Sequence, residues 1–295
     1  MHHTNLQQFV DPYYGIPPQY LSNIKDHYVN SNNSRENFAH RQKTCTLCLF
    51  GVINRGIIAW TTIKRRIYNV LVEAGYTVKV FVYNLDVGTQ PVDGVVLSQD
   101  LSNFPFVEYQ HQSEKQADVD VKIDTLCRKE RCRFRADYKP VTVRNALRQL
   151  YSEKRVGDFL AEDNSDIAIV CGPDFYIAND INTKHVRDAM TCNCVYTSQV
   201  NDAQGYTNGF YIGKPKNVAR IMNRFNEYKG SNKDYEYYVK RAFEMHRIKH
   251  KSTDIVFFKI RASGKVHWQG NTKGQYLPRA ERILVEAEYT KIGGV

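Results

Sequence analysis

The stretch DIAIV (Asp166–Val170), running into Cys171-Gly172-Pro173-Asp174, decides the fold. Its apolar run reads as a strand, and Gly-Pro-Asp is turn chemistry that ends it. The preceding segment TVRNALRQLYSEKRVGDFLAE (Thr142–Glu162) repeats its apolar residues at helical spacing, with Thr142 placed to cap it after Pro140. A helix that feeds an apolar strand is half of a crossover unit. Upstream, TCTLCLFGVI (Thr44–Ile53) reads as a strand and Asn54-Arg55-Gly56 as a turn. A helix follows over IIAWTTIKRRIYNVLVEAG until Gly75 stops it, and TVKVFVYNL (Thr77–Leu85) alternates as a second strand. This βαβ unit predicts parallel pairing, with the ligand crevice at the carboxyl ends of the strands. The expected class is α/β, one domain with a central, mostly parallel sheet flanked by helices.

Further from that centre the signals thin. Residues 1–43 are rich in Asn, Gln, Tyr and Pro without a sustained period, and are expected to form an extended arm before a domain over 44–295. DGVVL (Asp93–Leu97) reads as a short third strand, and residues 98–139 as a long polar excursion. Downstream, CNCVYTSQV and GFYIG (Gly209–Gly213) read as strands, KPKNVARIMNRFNEY and DYEYYVKRAFEMHRIK as helices, and TDIVFFKIRASG (Thr253–Gly264) as a closing strand.

Composition narrows the function classes. The 295 residues are 42% hydrophobic, enough for a real core, and no run approaches the ~18 apolar residues that a membrane span needs. The first ten residues lack a signal-peptide pattern, so a cytoplasmic protein is expected. Seven cysteines without an export signal predict reduced thiols. Cys45 and Cys48 form a CxxC, but on a strand that spacing sends them to opposite faces, which argues for packing rather than zinc. The net charge of +10 is compatible with nucleic acid or with a phosphorylated small substrate. Its densest stretch, CRKERCRFRADYK (Cys127–Lys139), includes acids and lacks aromatic residues spaced for base stacking, so a solvated loop is expected.

Three constellations could carry chemistry. Asp174, held where an apolar strand ends, is placed either to ligate a divalent ion or to cap a turn. Gly51 to Gly56 offers backbone donors and the Arg55 charge to a phosphate or ribose, or forms a plain loop; it is not GxGxxG. NDAQGYTNGFYIG (Asn201–Gly213) gathers amides, an acid and tyrosines suited to reading sugar hydroxyls, or forms an ordinary hairpin turn. There is no GxSxG elbow and no P-loop.

Taken in order, CLFGVINRGI, TTIKRRI, VKVFVYNLDVG, NALRQLYSEKRV, DIAIVCGPDFYIANDIN, TNGFYIGKPKNV and VFFKIRASG resemble the small glycosyltransferases encoded by large DNA viruses of algae, of the chlorovirus kind. The resemblance covers about Thr44 to Gly264. It implies a GT-A-like fold, a nucleoside-diphosphate sugar donor that is UDP-linked by default, and a viral glycoprotein glycan as acceptor, with xylose one of several candidate sugars. The compartment implied is the host cytoplasm. Asp174 then stands in the metal-binding motif, where such proteins often carry Arg-Pro-Asp. Here Gly172 replaces the Arg, and the first acid of an Asp-x-Asp is absent. On the same resemblance Gly51 and Arg55 meet the nucleotide, Asn208 and Gly209 face the sugar, and His267 is a second ligand to Mn²⁺ or Mg²⁺. An inverting transfer needs a carboxylate base, for which Asp202 and Glu236 are the candidates. The competing readings are an inactive sugar- or nucleotide-binding protein on the same fold, and a nucleic-acid-binding protein.

Overall fold

The computed structural model describes residues 42–92, 94–97, 104–106, 108–130, 139–199, 205–227, 235–263 and 266–267. All but two residues of the arm expected over 1–43 fall outside these. Thr77 N–H donates to Lys43 O at 2.9 Å, so ordered pairing starts one residue before the expected boundary.

The chain opens with β1 (Thr44–Gly51), a 3₁₀ turn (Ile53–Gly56) and α1 (Ile57–Ile63), which runs through a π-helical stretch (Lys64–Asn69) into α2 (Val70–Glu73). Gly75, at φ +85°, ends the helix in the left-handed conformation that a residue with a Cβ resists. Next come β2 (Thr77–Asp86), a two-stranded ribbon of β3 (Pro91–Val92) and β4 (Val95–Val96), β5 (Gln110–Lys115), α3 (Gln116–Glu130) and α4 (Pro140–Glu162). The third strand expected at Asp93–Leu97 is therefore only half of a small ribbon outside the main sheet. The expected polar excursion contains a sheet strand and a helix, and α3 takes in the first part of the basic stretch read as loop. Helix α4 begins on Pro140 rather than being capped by Thr142, because proline's fixed φ and missing N–H suit a first helical position.

The second half carries β6 (Ile167–Cys171), β7 (Phe175–Ile177), α5 (Thr183–Thr191), β8 (Cys194–Ser198), β9 (Phe210–Gly213), α6 (Pro215–Met222), a 3₁₀ turn (Asn223–Glu227) and α7 (Tyr235–Met245). It closes with β10 (Lys249–Thr253), β11 (Phe257–Ile260) and β12 (Val266–His267). The closing strand expected over Thr253–Gly264 is thus broken after Thr253, and its two parts join different sheets.

Seven strands form the main sheet in the order β10-β8-β9-β6-β1-β2-β5. Every neighbouring pair is parallel except those made by β9, which runs antiparallel to both β6 and β8. The architecture is the expected α/β one, a mostly parallel sheet with helices on both faces. A second sheet, β12-β11-β7, is antiparallel throughout.

Alternation along β1 sorts its side chains between two cores. Cys45, Leu47 and Leu49 pack with Trp60, Ile63, Ile67 and Leu71 of α1 and its continuation, whereas Cys48 and Phe50 pack with Leu147 and Leu150 of α4 and Val218 of α6. Both cysteines are fully buried, Cys45 in one core and Cys48 in the other, so they lie on opposite faces of the sheet. All five residues of β6 are buried, at ~1.5–3 kcal/mol for each large aliphatic side chain, and this is why its sequence shows no alternation. The expectation of reduced thiols throughout is corrected at one place. Cys192 and Cys194 form a disulfide with Cα atoms 5.3 Å apart, because the chain leaves α5 in an extended conformation that brings both sulfurs to one side.

Candidate functional site

Strand order reverses direction about β1: the chain moves outward through β2 to β5, then returns to lay β6 on the other side of β1. In such sheets the carboxyl ends of the two central strands diverge and leave a crevice. Gly51 ends β1 and Cys171 ends β6, so the turns that follow them border this point.

The Gly172–Phe175 segment is a tight turn closed by Phe175 N–H donating to Gly172 O at 3.2 Å, with Pro173 and Asp174 in its middle. Three contacts fix it. Gly172 N–H donates to Gly209 O at 3.1 Å, Ile260 N–H donates to Asp174 O at 2.8 Å, and the 3₁₀ turn after β1 presses against its outer side. At Gly56 a Cβ would stand 1.8 Å from Pro173 O, so only glycine permits that approach. Asp174 is thus both the turn residue and a carboxylate at the crevice, only 9% exposed. Burial, reinforced by the Asp174 charge, pushes the neighbouring Cys171 thiol up, so that sulfur stays protonated and donates to Gly172 O at 3.3 Å.

The glycine that replaces the expected Arg has a local cause. A Cβ at residue 172 would meet the Phe175 ring at 2.6 Å, since that ring folds back beneath the turn. The ring stacks on Phe257 with centroids 3.9 Å apart, and the Lys259 ammonium lies 5.7 Å from its centroid. Gly209, at φ +89°, closes the same cluster, with its Cβ position 3.1 Å from the Phe175 ring.

Asn208 and Gly209 reach this edge because β9 is antiparallel, so its start lies beside the end of β6, with Cys171 opposite Phe210. Asn208 is anchored from below by a buried polar chain. Arg224 Nη2 donates to its Oδ1 at 2.7 Å, and the Tyr211 hydroxyl donates to the same oxygen at 3.3 Å while accepting from Gly209 N–H at 3.2 Å. Arg224 in turn pairs with Glu153 of α4 at 2.5 Å, both side chains being wholly buried. Burial is the main cause that pushes the Tyr211 hydroxyl up, opposed by Arg224 and reinforced by the charges of Glu153 and Glu236.

The other sequence candidates fall as follows. Gly51 (φ +111°) opens the turn after β1, and Arg55 lies within the 3₁₀ turn. One backbone donor of this turn is already used, since Ile53 N–H donates to Asn84 Oδ1 at 3.2 Å. Glu236 sits in the first turn of α7, where its carbonyl accepts from Tyr206 N–H at 3.0 Å, three residues before Gly209. His267 lies on β12 in register with Lys259, which is in register with Phe175. At ~4.8 Å per strand, the His267 backbone stands about 10 Å from that of Phe175. Asp202 lies outside the described residues.

Gly51, the Arg55 backbone, Asp174, Asn208 and Gly209 therefore share one sheet edge, and Glu236 borders the segment that leads into it. Sequence reasoning missed Lys259 and Asn84. Asn84 stands opposite Gly51 on β2 and donates through Nδ2 to Ser113 at 3.3 Å. A polar residue near the end of an apolar strand, as in VFVYNLD, was the available signal. Lys259 had none, because nothing in VFFKI shows that it pairs with FYI.

A hollow of about 440 Å³ lies at the opposite end of β6, bordered by Asp163, Asp166, Lys214 and Arg220. It is at the amino end of the central strands, away from the crevice, and its mixed charges favour no one ligand. Among the described residues, one cluster of metal-ligating types has its atoms within 4.8 Å of one another, Asp188 with Cys192 and Cys194. The disulfide leaves that cluster no thiolate to offer. No helix of the described residues is long and apolar enough to cross a membrane.

No protein-family model and no curated protein matches the sequence. Among solved structures, xyloside xylosyltransferase 1 from mouse, in its apo form, overlaps at a TM-score of 0.40 with 7% identity, over 71% of this chain and 84% of its own. The glycosyltransferase GlyE of Streptococcus pneumoniae TIGR4 overlaps at 0.36 with 11% identity, over 71% of this chain and 45% of its own. The chain thus spans less than half of GlyE. Overlaps this shallow carry no chemistry across, and the site rests on its own residues.

Proposed function

We propose that the chain is a GT-A-like glycosyltransferase that binds a nucleoside-diphosphate sugar, UDP-linked by default, in the crevice between β1 and β6. The observation that carries this reading is the convergence of the Gly51–Gly56 turn, the Gly172–Asp174 turn and Asn208–Gly209 at the point where strand order reverses. Such crevices hold nucleotides in open α/β sheets.

On this reading the Gly51–Gly56 turn lies along the nucleotide, and Asn208, held by Arg224 and Tyr211, stands toward the sugar. Lys259 brings positive charge to the side of the turn where diphosphate charge would develop as the glycosidic bond to the leaving group breaks. Glu236, or Asp202, would take the proton from the acceptor hydroxyl in an inverting transfer. Asp174 offers hard carboxylate oxygens of the kind Mg²⁺ and Mn²⁺ prefer, and His267 is the candidate second ligand. Cys171, kept as a thiol, is no ligand. One carboxylate is a thin shell, so the cation would be held jointly with the donor's diphosphate, where it would neutralise the leaving charge. The resemblance to algal-virus enzymes makes a viral glycoprotein glycan the proposed acceptor, with xylose among the candidate sugars.

The thin acidic motif favours a second reading, an inactive protein that binds a nucleotide or sugar. Donor hydrolysis separates the two. Incubation with a panel of UDP-sugars, including UDP-xylose, with Mn²⁺ or Mg²⁺ should release UDP from at least one. Asp174→Ala should lower that release by ~10²-fold or more while the far-UV spectrum is kept. A wild type that binds UDP but hydrolyses no donor and transfers to no acceptor would leave the binding protein as the answer.

A further inference from the structure

At the amino end of β8, on the edge away from the crevice, Cys192 and Cys194 are joined where α5 hands over to the strand. The two sulfurs differ in access, for Cys192 is partly exposed and Cys194 is wholly buried. The Asp188 carboxylate lies 3.8 Å from the Cys192 sulfur and 3.9 Å from that of Cys194. It is held there by the Tyr196 hydroxyl at 2.6 Å and by the Lys251 ammonium. This differs from the surroundings of Cys45, Cys48 and Cys171, which are fully buried and whose thiols burial pushes up.

The bond is poorly suited to stapling the fold. It joins residues two apart, and a loop that short removes little freedom from the unfolded chain. The segment is already fixed by pairing, with Cys194 opposite Lys249 and Val195 opposite Gly213. Opening the bond therefore leaves the surrounding structure its own supports.

We propose that Cys192–Cys194 is a reversible thiol–disulfide site that exchanges with small thiols of the glutathione class. An external thiolate attacks the accessible sulfur of Cys192; the S–S bond breaks and its electron pair leaves on the Cys194 sulfur, which takes up a proton. A second external thiol attacks the external sulfur of the mixed disulfide and frees Cys192. Two external thiols are oxidised to one disulfide as the protein disulfide is reduced to two thiols, and an external disulfide drives the reverse. Lys251, paired to Asp188, offsets the repulsion this carboxylate would exert on the departing thiolate.

The test is maleimide alkylation before and after unfolding, read by intact mass and peptide mapping, once the folded protein has been equilibrated in buffers from reduced to oxidised glutathione. In reduced buffer Cys192 should be alkylated in the folded protein and the wholly buried Cys194 only after unfolding; both thiols should disappear together in oxidised buffer and return on reduction, with the circular-dichroism spectrum unchanged, and peptide mapping keeps them apart from the partly exposed free thiol of Cys127. Cys194→Ser should trap a mixed disulfide on Cys192, and Cys192→Ser should trap little. Three results would overturn the proposal: a pair that stays dithiol in oxidised glutathione, a pair that excess dithiothreitol opens only after unfolding, or a reduced pair that one equivalent of zinc shields from both maleimide and oxidation. The last would make it a metal site.

Discussion

Replacing Arg224 with methionine keeps most of the side-chain volume and removes the charge. The Glu153 carboxylate would remain wholly buried with Gln149 Nε2, at 3.2 Å, as its remaining donor. Breaking one side of a buried ion pair costs ~3–5 kcal/mol, because the surviving charge keeps its desolvation penalty and loses its partner. Unfolding entropy near 60 °C is about 2.1 cal/mol/K per residue. For a chain of 295 residues that is about 0.6 kcal/mol/K, so Arg224→Met should lower the melting temperature by roughly 5–8 °C. The double variant Glu153→Leu, Arg224→Met removes both charges and should recover most of that loss, since an apolar pair of similar volume is often as stable as a buried ion pair. Under the proposed function it should still bind donor less tightly, for Asn208 loses its 2.7 Å anchor in both variants. Thermal melts by circular dichroism with urea titrations measure the first effect, and UDP titration the second. A single-variant shift below about 2 °C, or a double variant as damaged as the single, would show that the buried charge is not what destabilises Arg224→Met.

Other outcomes follow from the same geometry. Gly56→Ala should cost ~1–3 kcal/mol in urea unfolding and impair donor hydrolysis more than a surface Gly→Ala, because its Cβ would meet the Pro173 carbonyl at 1.8 Å. Lys259→Gln should raise the donor KM by roughly tenfold with an unchanged melt, as expected for losing a charge-assisted contact to diphosphate. His250 packs against Tyr206 at 3.6 Å, and burial lowers its pKa to about 4. The unfolded chain therefore binds the proton more tightly, and stability should fall as pH drops from about 6.5 to about 4. His250→Phe should flatten that limb of the pH–stability curve, and an unchanged slope would assign it to other groups.

The middle of the sheet was legible in the sequence and its borders were not. β6 and β1 are buried on both faces, so apolar runs marked them. β5 (QHQSEK) and β10 (KHKST) are the two edge strands, and polar residues at edges guard against unwanted pairing, which erases the hydrophobic signal. The break after Thr253 was hidden because IVFF continues an apolar pattern while changing sheets. At the site, the crossover pattern located Gly51 and Asp174, since a strand end followed by turn residues is a local feature. Lys259 and the Arg224–Asn208 anchor come together only through long-range pairing, which no local pattern encodes. Gly172 read as a missing charge; its cause, the Phe175 ring beneath it, is likewise a packing fact.

The most direct test of the central claim is a crystal structure of the protein with UDP and Mn²⁺. Diphosphate density is expected between the Gly51–Gly56 turn and the Gly172–Asp174 turn, with the cation on the Asp174 carboxylate. Nucleotide bound at the opposite end of β6, or a diphosphate at the crevice with Asp174 turned away from it and no cation beside it, would contradict the account.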